Sequence, residues 1–354
     1  MHGAEASGKN EPMSIVEEGR ESPDRVTLAA IAALAAVSLS TVSKVLNGRG
    51  DVAPATRTRV EDLLSRNGYS RRGDAAASAP LLELVFHELE SVWAIEIIRG
   101  VERVARANGL SIVLTESGDR HAPSVEWIDG VIARNPVGVI LVFSDLSGEQ
   151  KQKLATRGIP FVVVDPAGEP TPDVPSIGSA NWSGGLAATR HLIELGHTRI
   201  GMIGGPADML CSIARIGGYR AALDAAGIAY DASLVLDGDF HPEGGRVRAV
   251  ELLERPDRPT AIFAGSDLQA MGVYEAARAL GLHIPADLSV VGYDDLPLAR
   301  WVGPPLTTIR QPLTEMAEAA ANLAVSMRHS PGGTVQRMDL ATSLVTRQST
   351  APLA

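Results

Sequence analysis

The chain of 354 residues lacks several features that mark particular protein classes. It has a single cysteine, Cys211, which excludes an internal disulfide framework and cysteine-rich zinc sites. No apolar run is long enough to span a bilayer, and no signal segment is recognisable. Aromatic residues make up only 4% of the chain, so the places where they fall are informative. We expect a folded, soluble protein of the reducing cytoplasm without a membrane partner.

Motifs of common enzymes and cofactor sites are also missing. The glycine pairs Gly204-Gly205 and Gly217-Gly218 match neither the phosphate-binding loop nor the dinucleotide fingerprint. No nucleophile elbow is present, and the histidines show no spacing typical of metal ligands. The sequence therefore predicts no catalytic residue, no cofactor and no metal site.

Charge is unevenly distributed along a chain whose formal net charge is −10. Between Arg25 and Arg72, eight Arg or Lys residues stand against three acidic residues, a local net charge of +5. A basic module on an acidic body suggests that one end of the chain binds phosphate groups. Residues 1–24 are polar and acidic and are predicted to form a disordered tail.

The basic module, residues 25–72, has the pattern of three short helices. Thr27 and Ser38 are predicted helix N-caps, and Pro54 suits the first turn of a third helix. Two helices joined by a tight turn and supported by a third form a helix-turn-helix domain. Small hydroxyl side chains at the start of the second helix allow close approach to a major groove. From periodicity alone, a small helical bundle with a solvated basic face remains an alternative.

From Leu81 onward, short β-rich runs alternate with amphipathic helices. Strands are predicted at 81–86, 110–115, 138–143, 160–164, 199–204, 261–265 and 289–295. This alternation indicates an α/β fold with two doubly wound parallel sheets, whose ligands bind at the carboxyl ends of the strands. Two such sheets facing each other form a cleft.

The segment VTLAAIAALAAVSLSTVSKVLNGRGDVAPATRTRVEDLLSRNGYSRR resembles the DNA-binding headpiece of the lactose-repressor (LacI/GalR) family. The resemblance implies that Leu39, Ser40 and Lys44 read operator bases. It implies that further residues hold the phosphate backbone, namely Thr27, Ser38, Thr41, Ser43 and Asn47. One small helix-turn-helix contacts too few bases for useful specificity, so we expect a homodimer on a near-palindromic duplex operator.

Two departures from the family pattern affect the headpiece. Ala36 stands where the family usually has glycine, and a positive φ there costs about 1 kcal/mol. The family's hinge helix ends in a leucine that wedges into the minor groove. Here the linker, residues 73–80, has no leucine before Leu81, so this insertion is not implied.

The acidic body, residues 81–354, is similar to periplasmic sugar-binding proteins and to the effector domain of the same family. The resemblance rests on GYDDLPLARWVGPPLTTIRQP, ATRHLIELGHTRIGMIGGP and FAGSDLQAMGVYEAA. It implies three chain crossings between two subdomains and a role for this domain in dimerisation. One subdomain comprises about 81–179 and 311–335, and the other comprises 180–310 and 336–350.

Sugars are bound by polar side chains together with aromatic rings that stack on their apolar faces. Four aromatic residues fall in predicted strand-end loops, and as a set they favour stacking on a ligand: Trp93, Trp182, Phe240 and Trp301. The resemblance adds polar ligand residues: Arg215, Ser266, Asp267, Asp294 and Gln311, with Ser144 and Asp145 as weaker candidates. Each aromatic residue alone is more typical of local packing, and helix capping is the alternative for Asp267 and Asp294.

These patterns predict a cytoplasmic, nucleoid-associated transcriptional regulator, a repressor, whose operator affinity is controlled by a mono- or oligosaccharide. The alternative is a cytoplasmic sugar-binding protein with a degenerate headpiece that does not bind DNA.

Overall fold

A computed structural model of the chain describes residues 27–46, 52–66, 80–89, 92–118, 123–143, 145–330 and 334–353. By its internal contacts the chain divides into two compact units, Met1–Ser78 and Ala79–Ala354. The predicted tail and nearly all of the predicted linker lie outside the described residues.

The first unit is built on helices α1 (Leu28–Leu34), α2 (Leu39–Leu46) and α3 (Pro54–Arg66). The Thr27 hydroxyl accepts a hydrogen bond from the Ala30 N–H (3.3 Å) and so caps α1. Ala36, in the turn before α2, has a φ of 52°, a conformation that glycine adopts without strain. Apolar side chains of all three helices form the core: Ile31, Ala32, Ala35, Val42, Val45, Val60 and Leu64.

The second unit alternates strands and helices. Its helices are α4 (Val92–Ala107), α5 (Val125–Arg134), α6 (Gly148–Thr156), α7 (Asn181–Glu194), α8 (Leu210–Ala225), α9 (Pro242–Leu253), α10 (Asp267–Ala279) and α11 (Leu313–His329). Its strands are β1 (Leu81–Phe86), β2 (Ser111–Glu116), β3 (Gly138–Val142), β4 (Phe161–Val164), β5 (Ser176–Ser179), β6 (Ile200–Ile203), β7 (Val235–Leu236), β8 (Ala261–Ala264), β9 (Ser289–Asp294), β10 (Thr307–Arg310), β11 (Arg337–Leu340) and β12 (Ser343–Val345).

The strands form two six-stranded sheets in the orders β11-β5-β4-β3-β1-β2 and β12-β10-β9-β8-β6-β7. The central strands β3 and β9 are buried along their whole length, as strands covered by helices on both faces must be. Among the described strands, only the pairing of β10 with β12 is antiparallel. The predicted α/β class with two doubly wound sheets is confirmed.

Each sheet with its helices is one subdomain, and the chain passes between the subdomains after β5, β10 and β11. The third crossing was predicted near residue 335, and this prediction is wrong. Strand β11 pairs in parallel with β5, so residues 337–340 belong to the first subdomain. The error has a physical cause: β11 is a polar edge strand, RMDL, whose first three residues are exposed, so it lacks the apolar alternation of a buried strand.

In the part of the chain that the structure describes, no single helix is both long and apolar enough to cross a membrane. Among the described helices, one pair, Leu28–Leu34 and Leu39–Val45, meets the length and composition requirements together, with a bend of 101° between its members.

Candidate functional site

The exposed face of α2 carries the predicted operator-reading side chains. Thr27, Ser38, Leu39, Ser40, Ser43 and Lys44 are exposed, and Thr41 is half-buried. The Ser38 hydroxyl accepts a hydrogen bond from the Thr41 N–H (3.2 Å) and lies 2.8 Å from the Ser40 hydroxyl. Leu39 is 53% exposed although it is apolar, which suits contact with a thymine methyl group. Asn47 lies outside the described residues.

A cavity of about 250 Å³ lies between the two subdomains, at the carboxyl ends of the strands. The first subdomain lines it with Phe86, His87, Glu88, Trp93, Ala94 and Phe143. The second lines it with Pro206, Met209, Cys211, Arg215, Asp239, Phe240, His241, Ser266, Leu268 and Asp294. The structure thus brings together five predicted ligand residues: Trp93, Arg215, Phe240, Ser266 and Asp294.

Arg215 on α8 is buried and held by several partners. Its Nε donates to Asn181 Oδ1 (2.8 Å), and its Nη1 donates to the Gly265 carbonyl (2.5 Å). The guanidinium lies 3.8 Å from the ring centroid of Tyr293 and 5.5 Å from that of Phe240. Its Nη2 has no hydrogen-bond partner among the described residues. Arg215 can therefore donate to a ligand from a fixed position.

Two buried carboxyl groups accompany this guanidinium. Burial raises the pKa of Asp294 to about 7, although Arg215 and a hydrogen bond from Gln311 oppose the rise. Burial likewise raises the pKa of Asp165 to about 6, and its Oδ2 has no partner among the described residues. Asp165 borders the neighbouring pocket beside Trp182 and does not line the cavity itself. A carboxyl group that is partly protonated near neutral pH can donate to or accept from a hydroxyl group. This chemistry suits a ligand rich in hydroxyl groups.

Gln311 connects Asp294 to the crossings between the subdomains. Its Nε2 donates to Asp294 Oδ1 (2.6 Å), and its Oε1 accepts a hydrogen bond from the Ser179 hydroxyl (2.7 Å). Ser179 ends β5 and Gln311 follows β10, so both lie where the chain passes between subdomains. Gln311, predicted to touch the ligand, does not line the cavity and instead positions Asp294.

Aromatic rings line the cavity from both subdomains. Trp93, in the first turn of α4, stacks on Phe143 with ring centroids 4.7 Å apart. Phe240 comes from the second subdomain, and it packs so closely on Gly205 that a Cβ atom at that position would clash with the ring. Rings together with carboxyl and guanidinium groups match the apolar faces and hydroxyl edges of a sugar.

Backbone strain is concentrated in the same region. Among the described residues, seven non-glycine residues have positive φ, and five of them follow or end strands near the cavity and hinge: Phe143, Asp165, Phe240, Asp294 and Asp295. Such conformations cost about 1–3 kcal/mol each and occur where the surrounding structure enforces them, often at functional sites.

Asp267, a predicted ligand residue, makes hydrogen bonds inside the second subdomain. It is fully buried, and its carboxylate accepts hydrogen bonds from the Leu296 N–H (2.7 Å) and the Thr308 hydroxyl (2.5 Å). It therefore braces the loop after β9 against β10 and does not line the cavity. Ser266 caps α10 by accepting a hydrogen bond from the Gln269 N–H (3.0 Å). Helix capping, predicted as an alternative role for Asp267, is therefore performed by Ser266.

Three other predicted residues lie away from the cavity. Trp182, 47% exposed, borders a separate pocket, and Trp301 is 85% exposed at the surface. Asp145 pairs with Lys151 (3.3 Å), and Ser144 lies outside the described residues. The structure does not bring the four predicted aromatic residues to one cleft. Trp182 follows β5 and Trp301 follows β9, and the elements that carry them place both side chains at other surfaces.

Sequence reasoning missed most of the apolar lining and several polar groups. Two of the missed residues, Asp239 and His241, flank the predicted Phe240 in DGDFH. Asp165, which borders the neighbouring pocket, directly follows the buried strand β4, and this placement is a usable signal because ligands bind at the ends of parallel strands. Within the described ranges, no three His, Cys, Asp or Glu side chains are grouped so that they can hold a metal ion.

Comparisons with known proteins concern both units. Residues 27–72 match "Bacterial regulatory proteins, lacI family", and residues 189–350 match "Periplasmic binding protein-like domain". The HTH-type transcriptional regulator CelR of Thermobifida fusca is 37% identical over 344 residues, which cover 92% of this chain and 98% of that protein. The ribose operon repressor of Escherichia coli K12 is 34% identical over 336 residues, which cover 91% and 99%.

Solved structures give the same result. A complex of the transcriptional regulator CelR with cellobiose is 34% identical, with a TM-score of 0.69, and the match covers 91% of this chain and 99% of that one. The lac repressor dimer bound to operator and the anti-inducer ONPF is 26% identical, with a TM-score of 0.67, and covers 93% and 100%. These relatives are transcriptional regulators or repressors. Because the likeness spans headpiece and sheets alike, the chain is a transcriptional regulator that belongs to the LacI family.

Proposed function

We propose that the protein is a repressor that binds a near-palindromic operator as a homodimer in the cytoplasm, and that a small saccharide in the cavity sets its operator affinity. We assign the headpiece to residues 25–72 and the linker to residues 73–80. One observation carries the effector assignment: a cavity between two subdomains holds a buried arginine, Arg215, with a donor left for a ligand beside the carboxyl group of Asp294.

The headpiece surface supports operator binding. Hydroxyl groups at the start of α2 can bond to base edges and phosphates, and Lys44 lies one turn further on. Two copies related by a twofold axis would place two such helices in successive major grooves, which is why we propose a dimer.

The hydrogen bonds of Gln311 to Ser179 and Asp294, at the crossings between the subdomains, support control by the ligand. A saccharide that touches Arg215 and Asp294 in one subdomain and Trp93 in the other stabilises one angle between the subdomains. A coupling of about 1–3 kcal/mol, or about 5- to 150-fold in affinity, is sufficient for regulation. A ligand that prefers the operator-binding state is a corepressor, and one that prefers the other state is an inducer.

The size of the cavity and the relatives suggest which sugars to test first. About 250 Å³ is just below the about 300–1,000 Å³ typical of small-molecule sites, which favours a mono- or disaccharide over a longer chain. The matched structures include one regulator with cellobiose and one with ribose. Both sugars are therefore the first candidates, and we propose no further cofactor.

The test is a thermal-shift screen of pentoses, hexoses and disaccharides, followed by operator-binding assays with and without each stabilising sugar at a fixed salt concentration. A ligand at 100 times its dissociation constant stabilises the fold by about 2.7 kcal/mol. If no sugar stabilises the protein, the effector assignment is wrong. If sugar binds but DNA binding is absent or insensitive to salt, the alternative of a sugar-binding protein with a degenerate headpiece is correct. The similarity to complete regulators favours the repressor.

A further inference from the structure

One contact joins the two subdomains at the solvent side of the cavity. Glu88 follows β1 in the first subdomain, and His241 immediately precedes α9 in the second. His241 Nε2 lies 3.2 Å from Glu88 Oε1, and both side chains line the cavity while remaining partly exposed. The pair therefore spans the cavity where a ligand meets solvent.

One neighbour fixes the backbone of His241, and a second imidazole lies beside Glu88. The His241 backbone N–H donates to Asp239 Oδ1 (2.9 Å), which fixes the chain at the start of α9. On the other side, His87 Nε2 lies 3.7 Å from Glu88 Oε1. An imidazole nitrogen can donate to a carboxylate in the neutral Nε2–H tautomer as well as in the charged form.

We propose that Glu88 and His241 form a latch that holds the subdomains together over the cavity and limits the rate at which a ligand enters and leaves. An exposed pair of this kind is weak, which suits a contact that has to open at every binding event. The latch adds a gate to the proposed effector site and so rests on the proposed function, but its test requires no sugar.

Cys211 provides a chemical reporter of how easily a small molecule enters the cavity. It is the chain's single cysteine, it lines the same cavity, and burial raises the pKa of its thiol to about 12, so the closed protein reacts slowly with a thiol reagent. We would measure the rate of alkylation by iodoacetamide with mass spectrometry, using the full chain without sugar or DNA. Because only one thiol is present, the mass change reports access to Cys211, which borders this cavity and also the separate pocket beside Trp182.

We expect Glu88→Ala and His241→Ala each to raise the alkylation rate about 1.5- to 5-fold, which corresponds to the about 0.2–1 kcal/mol of an exposed pair. The exchanged variant Glu88→His/His241→Glu restores the contact and brings the rate back toward that of the wild type. His283→Ala is the matched control, because it removes a similar contact with Asp287 (3.1 Å) outside the cavity lining. Its rate stays unchanged.

Equal rates in all variants would overturn the latch, since the reagent would then reach Cys211 without passing the pair. A rise of the same size in His283→Ala would also overturn it, because the effect would then be general loosening. If latch variants accelerate alkylation while no sugar binds, the latch stands and the effector assignment fails. If sugars bind but the latch variants react like the wild type, only the latch is wrong.

Discussion

The headpiece surface and the cavity hold their key side chains in opposite ways. On α2, Leu39 and Lys44 are exposed to solvent, whereas Arg215 and Asp294 in the cavity are buried among fixed partners. A surface that binds DNA must leave its groups open to the groove. A buried charge must be paired or hydrogen-bonded, because its desolvation is costly. One helix therefore carries most of the proposed operator-reading side chains, while helices and strand ends share those of the proposed effector site.

The strongest test of this difference removes the buried cation. Arg215→Ala is expected to weaken binding of a stabilising sugar about 100-fold, or about 2.7 kcal/mol, because the ligand loses a charged donor and two carboxyl groups lose their cation. Isothermal titration calorimetry measures the loss. Arg220→Ala is the control, since Arg220 lies on the same helix but stacks on Tyr230, 4.0 Å from its ring centroid. Sugar binding by Arg215→Ala at wild-type strength would contradict the assignment of the site.

The matching test on the headpiece removes an exposed cation. Lys44→Ala is expected to weaken operator binding about tenfold, or about 1.4 kcal/mol, without changing sugar affinity. Titrations at several salt concentrations distinguish its partner: loss of a phosphate contact lowers the salt slope by about one, and loss of a base contact relaxes specificity. Arg59→Ala on α3 carries the same charge change away from α2 and should have little effect. A larger loss in Arg59→Ala than in Lys44→Ala would contradict the assignment of α2 as the reading helix.

A pH series examines the burial of Asp294. Because its pKa is raised to about 7, the folded protein keeps a proton between about pH 4 and pH 7 that the unfolded chain has lost. The free energy of unfolding therefore falls as the pH rises through this range, by at most about 1.4 kcal/mol per pH unit for one carboxyl group. In urea unfolding, Asp294→Asn should gain about 2 kcal/mol relative to the wild type between pH 5.5 and pH 7.5.

The control for the pH series is Asp224→Asn, which alters an exposed carboxylate on α8. It should follow the wild-type slope. The same slope in Asp294→Asn would mean that this carboxyl group does not retain its proton in the folded protein.

The smallest predicted effect concerns the turn of the headpiece. Ala36→Gly should stabilise the first unit by about 0.5–1 kcal/mol, because glycine adopts the observed φ of 52° without strain. Hydrogen exchange of the headpiece amides in the full chain measures the gain. Ala33→Gly, an exposed position within α1, should instead destabilise the unit by about 1 kcal/mol. Destabilisation by both changes would show that the turn is not strained.

Local patterns predicted most of the architecture. The three headpiece helices predicted from the caps Thr27 and Ser38 and from Pro54 are found as α1 to α3, each beginning at the predicted place. The seven predicted strands correspond to β1, β2, β3, β4, β6, β8 and β9 with small shifts at their ends. The strands β5, β7, β10, β11 and β12 were not predicted, because they have only two to four residues and several are polar, so periodicity has little to detect.

The cavity was only partly predictable. Arg215 and Asp294 follow from the family resemblance and Phe240 from the placement of the aromatic residues, and all three line the cavity. Asp267 has the same sequence context as a ligand residue, yet its hydrogen bonds to Leu296 and Thr308 make it a brace. No sequence signal distinguishes an Asp that lines the cavity from one that holds a loop in place. The contacts that decide between these roles join residues far apart in the chain.

By itself, the amino-acid sequence determined a basic three-helix module ahead of an alternating α/β body, since helix caps, apolar periodicity and charge are properties of neighbouring residues. The tertiary structure alone decided which strand ends meet, that Gln311 holds Asp294 from the hinge, and that Glu88 reaches His241 across the cavity. Each of these contacts depends on how two sheets pack and where the chain crosses between them, and neither is encoded in the local pattern of any one segment.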